Sequence, residues 1–266
     1  MNVISVCSFK GGTAKTSITL NLGAALAIKH GKRVLMIDFD AQANLTAGLG
    51  FDPDNHDSLA SVLQDKKEVS EVIIETPIKN LDLIPADTWL ERIEVTGNLA
   101  SDRYSHEKLK KILENVNYDY VLIDTPPSLC WLTESALIAA THALVCATPE
   151  FYSIKGLQRL SYFMHYISER HPFDLLGVVL SFWNPRGKSN DGFISVVNET
   201  FPEKLLQTKI RRDIAVSEAA IHGKPVFEMR PSSRAAEDFT DLTNEVLALI
   251  PGETKAESTC LSSTPS

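Results

Sequence analysis

The chain has 266 residues, 44% of them apolar and 23% charged, and a formal net charge of −8. That is enough chain for one large α/β domain, or two small ones, with a sizeable core, and the negative balance by itself argues against nucleic acid as a partner. No run approaches the roughly 18 apolar residues of a membrane span, and the start, MNVISVCSFK, lacks the basic segment of a signal peptide.

VISVC (3–7) predicts a first β-strand. SFKGGTAKTS (8–17) follows and opens a helix, with Ile18, Leu22 and Leu26 on one face and Gly31 at its end. Strand, glycine-containing loop and helix together form the setting of a phosphate-binding loop. Gly11 and Gly12 let backbone N–H groups turn toward phosphates, aided by the positive end of the helix dipole. In this reading Lys15 reaches the β- and γ-phosphates of a bound nucleotide, and the Thr16 hydroxyl ligates Mg²⁺. The stretch departs from G-x-x-x-x-G-K-[ST], because Phe9 and Ala14 stand where that pattern has glycine. Ala14 is acceptable provided its backbone stays in an ordinary region. Taken alone, the segment also fits a strand–helix turn with nothing bound.

VLMIDFDAQANLT (34–46) predicts a buried strand ending in Asp38, with Asp40, Gln42 and Asn44 beyond it. Carboxylates at that end of a parallel strand lie on the ligand edge of the sheet. Asp40 there could orient a water against a γ-phosphate, or either aspartate could cap a turn. LDLI (81–84) is the next apolar run, and YVLIDTPPS (120–128) ends its strand in Asp124, the form of a Walker B strand whose carboxylate holds Mg²⁺ directly or through water. ALVCA (143–147) and LLGVVL (175–180) complete the runs. Most are continuous rather than alternating, as in strands covered on both faces.

Helical stripes fall at Ile154, Leu157, Leu160, Met164 and Ile167, and at Ala235, Phe239, Leu242, Val246 and Leu249. The alternation predicts a doubly wound, mostly parallel α/β sheet flanked by helices over residues 1–250, as one domain. The polar end PGETKAESTCLSSTPS (251–266) predicts a disordered tail. Cys7, Cys130, Cys146 and Cys260 are far apart, form no C-x-x-C pair and read as structural thiols. Between Ser181 and Arg234 the balance reverses, with nine Lys and Arg against six Asp and Glu.

KGGTAKTS, DFDAQANLT, VLIDTPPS, PEFYSIKGL (149–157) and SEAAIHGKPVFEMRPSSRAAEDF (217–239) resemble, in order, the signatures of the ParA/MinD family of deviant-Walker P-loop ATPases. The last two look like the ParA branch, which serves plasmid or chromosome partition. The resemblance implies slow, partner-stimulated hydrolysis of ATP with Mg²⁺. It makes Lys10, Gly11, Gly12, Thr13, Ala14, Lys15, Thr16 and Ser17 the nucleotide loop, and sets Thr16, Asp38 and Asp124 around the metal. It makes Lys10 the signature lysine, which reaches across an ATP-sandwiched homodimer to the other subunit's phosphates, and Asp40 the residue needed for hydrolysis.

The resemblance also places Arg211 and Asp213 near the adenine, where the family has Pro and Asn; Ala215 replaces a family arginine. It puts Arg186 and Arg212 on a face for nonspecific double-stranded DNA; the basic balance of the 181–234 stretch adds Lys188, Lys209, Arg211 and Arg234 as weaker candidates. A centromere-binding partner of the ParB type, and a cytoplasmic place on nucleoid or plasmid, complete what it implies. No helix-turn-helix pattern precedes the first strand, which argues against operator reading by this chain alone. Regulation of plasmid gene expression or copy number stays open. Membrane recruitment of the MinD type needs a basic, bulky amphipathic C-terminal helix, and the tail has one leucine and no aromatic residue. An Fe–S relative needs paired cysteines, and none lies between Cys7 and Cys130.

Overall fold

The strands are β1 (Asn2–Cys7), β2 (Val34–Asp38), β3 (Ile74–Glu75), β4 (Leu81–Ile84), β5 (Tyr120–Asp124), β6 (His142–Ala147), β7 (Asp174–Trp183) and β8 (Leu205–Arg211). The computed structural model describes residues 1–96, 105–150, 153–187 and 190–251. The strands form one sheet in the order β3-β4-β2-β5-β1-β6-β7-β8. Neighbours run parallel except β3 and β4. Every predicted apolar run lies in a strand; β3 and β8 are additions at the two edges.

The helices are α1 (Lys15–His30), α2 (Asn44–Gly48), α3 (Leu59–Leu63), α4 (Val69–Val72), α5 (Trp89–Thr96), α6 (Lys108–Leu113), α7 (Trp131–Ala139), α8 (Ser153–Ser168), α9 (Asn190–Thr200), α10 (Ile214–Ile221), α11 (Val226–Met229) and α12 (Arg234–Leu249). Strand side chains alternate between the two faces of the sheet, where three apolar clusters form. Val34 and Met36 pack with Ile18, Leu22 and Phe239 of α1 and α12, whereas Leu35 and Ile37 pack with Leu63, Leu109 and Leu132 of α3, α6 and α7. Cys7, Val145 and Leu180 pack with Leu160 and Met164 of α8 and Val197 of α9. Helices on both faces explain why the inner strands are mostly apolar.

Gly31 ends α1 with φ 64° and donates its N–H to Leu26 O, as the pattern predicts. In α12 the stripe holds for Ala235, Phe239, Leu242 and Val246, but Leu249 is 45% exposed and Ile250 is buried in its place. The last helical turn rotates Leu249 off the core. In α8 the stripe holds for Leu157, Leu160, Met164 and Ile167; the Ile154 side chain lies outside the described residues. So do residues 252–266, and with them Cys260 and the tail. Cys7 and Cys146 are buried free thiols and Cys130 is half-buried. No helix among the described residues is long and apolar enough to cross a membrane.

The β7–β8 pairing is irregular in two places. Val178 faces Leu205 and Leu180 faces Lys209, which leaves two extra residues on β8; Leu180 to Trp183 then spans one residue more than Lys209 to Arg211. The Glu245 carboxylate of α12 accepts from Gln207 N at 2.7 Å and Thr208 N at 2.8 Å, inside the first irregularity.

Candidate nucleotide site

The C-terminal ends of β1, β2 and β5 bring the three predicted motifs together. β1 leads through Ser8–Ala14 into α1, whose first residue is Lys15. Gly12 takes φ 73°, a conformation open to glycine at no steric cost. Ala14 also lies in the left-handed region, with φ 59° and ψ 24°. This corrects the condition placed on Ala14: its Cβ is carried in a region that costs about 1–2 kcal/mol for an L-residue. The loop is pinned on both sides of that strain, by Ser181 Oγ donating to Thr13 O at 2.9 Å and by Ile18 N donating to Ala14 O at 2.8 Å. Phe9, at the other position lacking glycine, packs its ring on Gly156 of α8, where a Cβ would stand 2.2 Å from a ring carbon.

Hydroxyl groups brace the loop. Ser8 Oγ donates to Lys10 O at 2.9 Å and accepts from Thr13 Oγ1 at 2.9 Å and from Lys15 Nζ at 3.0 Å. Lys15 is thereby folded into the loop and is 7% exposed. Lys10 turns the other way and pairs with Glu150, its side chain 40% exposed. Ser17 O accepts from Asn21 Nδ2 at 2.8 Å, and Asn21 Oδ1 accepts from Val226 N at 2.9 Å, tying α1 to α11.

Asp38 and Asp124 are in register on β2 and β5, and both are buried. Asp124 Oδ2 accepts from Thr16 Oγ1 at 2.7 Å and Oδ1 from Thr19 Oγ1 at 3.3 Å. Asp38 Oδ2 accepts from Thr46 N and Thr46 Oγ1, both at 2.8 Å, and Oδ1 from Asp40 N at 3.3 Å. Asp40 itself is half-buried beyond the strand end, and its Oδ1 accepts from Gln42 N at 3.1 Å. Burial, with the Asp124 charge adding, pushes Asp38 up to about 7. Burial likewise raises Asp124 to about 6, against the lowering effect of the Thr16 hydrogen bond and the Lys15 charge. A hydroxyl and a carboxylate, hard oxygen donors at the start of a helix, form a donor set that suits Mg²⁺.

These raised carboxylates fix the sign of a pH effect. A carboxyl whose folded pKa lies above its unfolded value binds more protons folded than unfolded, so stability falls as pH rises through that window. In buffer without Mg²⁺ the melting temperature should fall between pH 5 and pH 8, and Asp38→Asn should flatten that fall. Thermal scans of both proteins check it; an equal slope in the variant would remove Asp38 as the source.

Beside Gly12 opens a cavity of about 880 Å³ whose wall includes Phe182, Trp183, Arg211, Arg212 and Arg234. Arg211 lies there with its guanidinium committed to Asp238 at 2.6 Å and Glu237 at 2.9 Å. Asp213 caps α10, accepting from Ala215 N at 3.1 Å, and also accepts from Ala235 N at 3.3 Å. Arg212 lies over the Phe182 ring and Lys209 over the Trp183 ring. Arg186 is exposed in the turn after β7, and Lys188 lies outside the described residues. Ser8 and Glu150 lay inside quoted motifs without a role, and none was read for Ser181 or Phe182.

The profile of a family described as an AAA domain matches residues 1–175. A "ParA family protein" of Chlamydia muridarum is 68% identical over 252 residues, covering 94% of this chain and 99% of that protein. The sporulation initiation inhibitor protein Soj of Bacillus subtilis is 38% identical over 251 residues, covering 92% of this chain and 98% of its own length. Among solved structures, the septum site-determining protein MinD of Pyrococcus horikoshii, complexed with Mg-ADP, superposes with a TM-score of 0.77 at 26% identity, over 96% of this chain and 99% of that one. With its phosphate loop, its two strand-end aspartates and these relatives, the chain belongs to the ParA family of P-loop ATPases.

Proposed function

We propose that the chain is an ATP-driven DNA-partition switch. The observation that carries this is the opposite orientation of two lysines in one loop. Lys15 is folded inward where a bound phosphate chain would lie, while Lys10 projects outward to Glu150. An outward lysine is placed to reach a second protomer's phosphates. Its exposed ion pair with Glu150 is of a kind worth at most about 1 kcal/mol, so it yields readily to a triphosphate across a dimer.

ATP and Mg²⁺ are the ligands of this site, in line with the Mg-ADP held by the MinD relative. Thr16 and Asp124 would hold the metal, with Asp38 behind them. When bound, Mg²⁺ neutralises charge on the β- and γ-phosphate oxygens. Lys15 and the loop N–H groups bind the phosphate chain, and Asp40 aligns the attacking water. Turnover by the chain alone is slow, and a centromere-binding partner raises it. Arg186 and Arg212, with weaker help from Lys209 and Arg234, contact DNA phosphates when two copies pair. Arg211 contributes less, since Asp238 and Glu237 already neutralise it.

The test is DNA binding against dimerisation. Lys10→Ala should bind ATP yet remain monomeric by size-exclusion light scattering. Wild type should bind two unrelated duplexes equally, with ATP and not with ADP. Its logarithmic salt slope should rise by ~0.9 for each added phosphate contact. Equal affinity with both nucleotides, or strong preference for one duplex, would overturn the nonspecific clamp and favour a regulator of gene expression.

A further inference from the structure

We propose that the ring of Phe182 is the platform on which the nucleobase of the bound nucleotide stacks; this rests on the ATPase reading above. Phe182 takes φ 51°, a genuine outlier for a bulky residue. It sits at the second irregularity of the β7–β8 pairing, where β7 carries one residue more than β8 between paired positions. Bulges of this kind re-aim a side chain and recur beside functional sites. Strained backbone of this kind persists only where the surroundings enforce it.

Here they do. On one side Ser181 Oγ lies 2.9 Å from Thr13 O and 3.2 Å from Ala147 O; on the other, Trp183 is in register with Arg211. With both neighbours fixed, the ring of Phe182 is turned out of the core and is 41% exposed.

The direction in which it is turned points to the ligand. Phe182 lines the same cavity as Gly12, and Ser181, one residue earlier, is bonded to the phosphate loop itself. The cavity adjoins that loop at Gly12 and is open to the base of a nucleotide whose phosphates lie there. The ring face accepts a planar group: the Arg212 guanidinium carbon stands 5.5 Å from its centroid. The two positions that the family resemblance places near the base are otherwise engaged, Arg211 with Asp238 and Asp213 with the α10 cap. A purine offers a larger planar face than a guanidinium and stacks well on an aromatic ring.

The experiment compares ATP, CTP and inorganic tripolyphosphate, each with Mg²⁺, by calorimetry on the full chain. Phe182→Ala and Phe182→Leu should both weaken ATP binding by roughly 5- to 150-fold, the range of a base–aromatic stack. Both should leave tripolyphosphate affinity unchanged and narrow the preference for ATP over CTP. Phe182→Trp should retain wild-type affinity. The leucine variant keeps apolar bulk, so a loss there reports the aromatic face rather than packing. Equal losses for ATP and tripolyphosphate would make Phe182 a strut of the phosphate loop, and unchanged ATP affinity would leave it no role; either overturns the proposal. ATP affinity left unchanged by Lys15→Ala would instead overturn the underlying ATPase reading.

Discussion

Lys15→Ala should raise the Kd for ATP by about 10²-fold or more, the scale of removing one partner of a buried charge pair, and leave the circular dichroism spectrum unchanged. Lys15 is folded into the loop against Ser8 and lies close enough to Asp124 to lower its pKa. Without the ammonium group, no other lysine of the loop points inward, because Lys10 is turned to Glu150. The fold tolerates the loss. Asp124 keeps its hydrogen bonds from Thr16 and Thr19, and with its cation gone it takes up a proton at higher pH instead of standing as a buried bare charge. Calorimetry with ATP and Mg²⁺ reads the first effect; an unchanged affinity would remove the phosphate-loop assignment.

Asp40→Ala should separate binding from turnover. Hydrolysis in a single turnover should fall by about 10²- to 10⁴-fold, the range for loss of a positioned acid–base group, while ATP affinity changes little. The three aspartates at this edge are placed differently. Asp38 is committed to Thr46, and Asp124 to Thr16 and Thr19. Asp40 stands past the end of β2, half-buried, with Oδ1 taken by Gln42 N. Asp40→Asn is the sharper control, because its amide oxygen can keep the Gln42 contact while the carboxylate charge is lost. Rapid-quench measurement with labelled ATP checks both variants; wild-type hydrolysis in either would take Asp40 out of the chemistry.

The inner sheet was legible because burial on both faces writes itself as continuous apolar runs. VLMI and YVLI each end in an aspartate, and the register of β2 and β5 sets those aspartates side by side. The edge strands were less legible. LLQTKIR of β8 mixes buried Leu206 and Ile210 with exposed Gln207, as an outer, irregular strand does, and β3 is two residues long. The phosphate loop could be read from glycine and lysine spacing, but its bracing could not. Ser8, Thr13 and Ser181 converge through tertiary contacts with separations as long as 168 residues. Backbone strain was equally invisible: nothing in the letters of Ala14 or Phe182 announces a left-handed conformation.

β8 carries a consequence for how copies of this chain crowd together. An outermost strand with a regular run of unsatisfied amides is a template for pairing with a strand from another molecule. Here β8 pairs irregularly with β7 in two places, and Glu245 has already taken the amides of Gln207 and Thr208. An incoming strand meets a kinked ladder guarded by a carboxylate. Strand addition from another molecule is therefore disfavoured at this border, in part by one glutamate on a neighbouring helix.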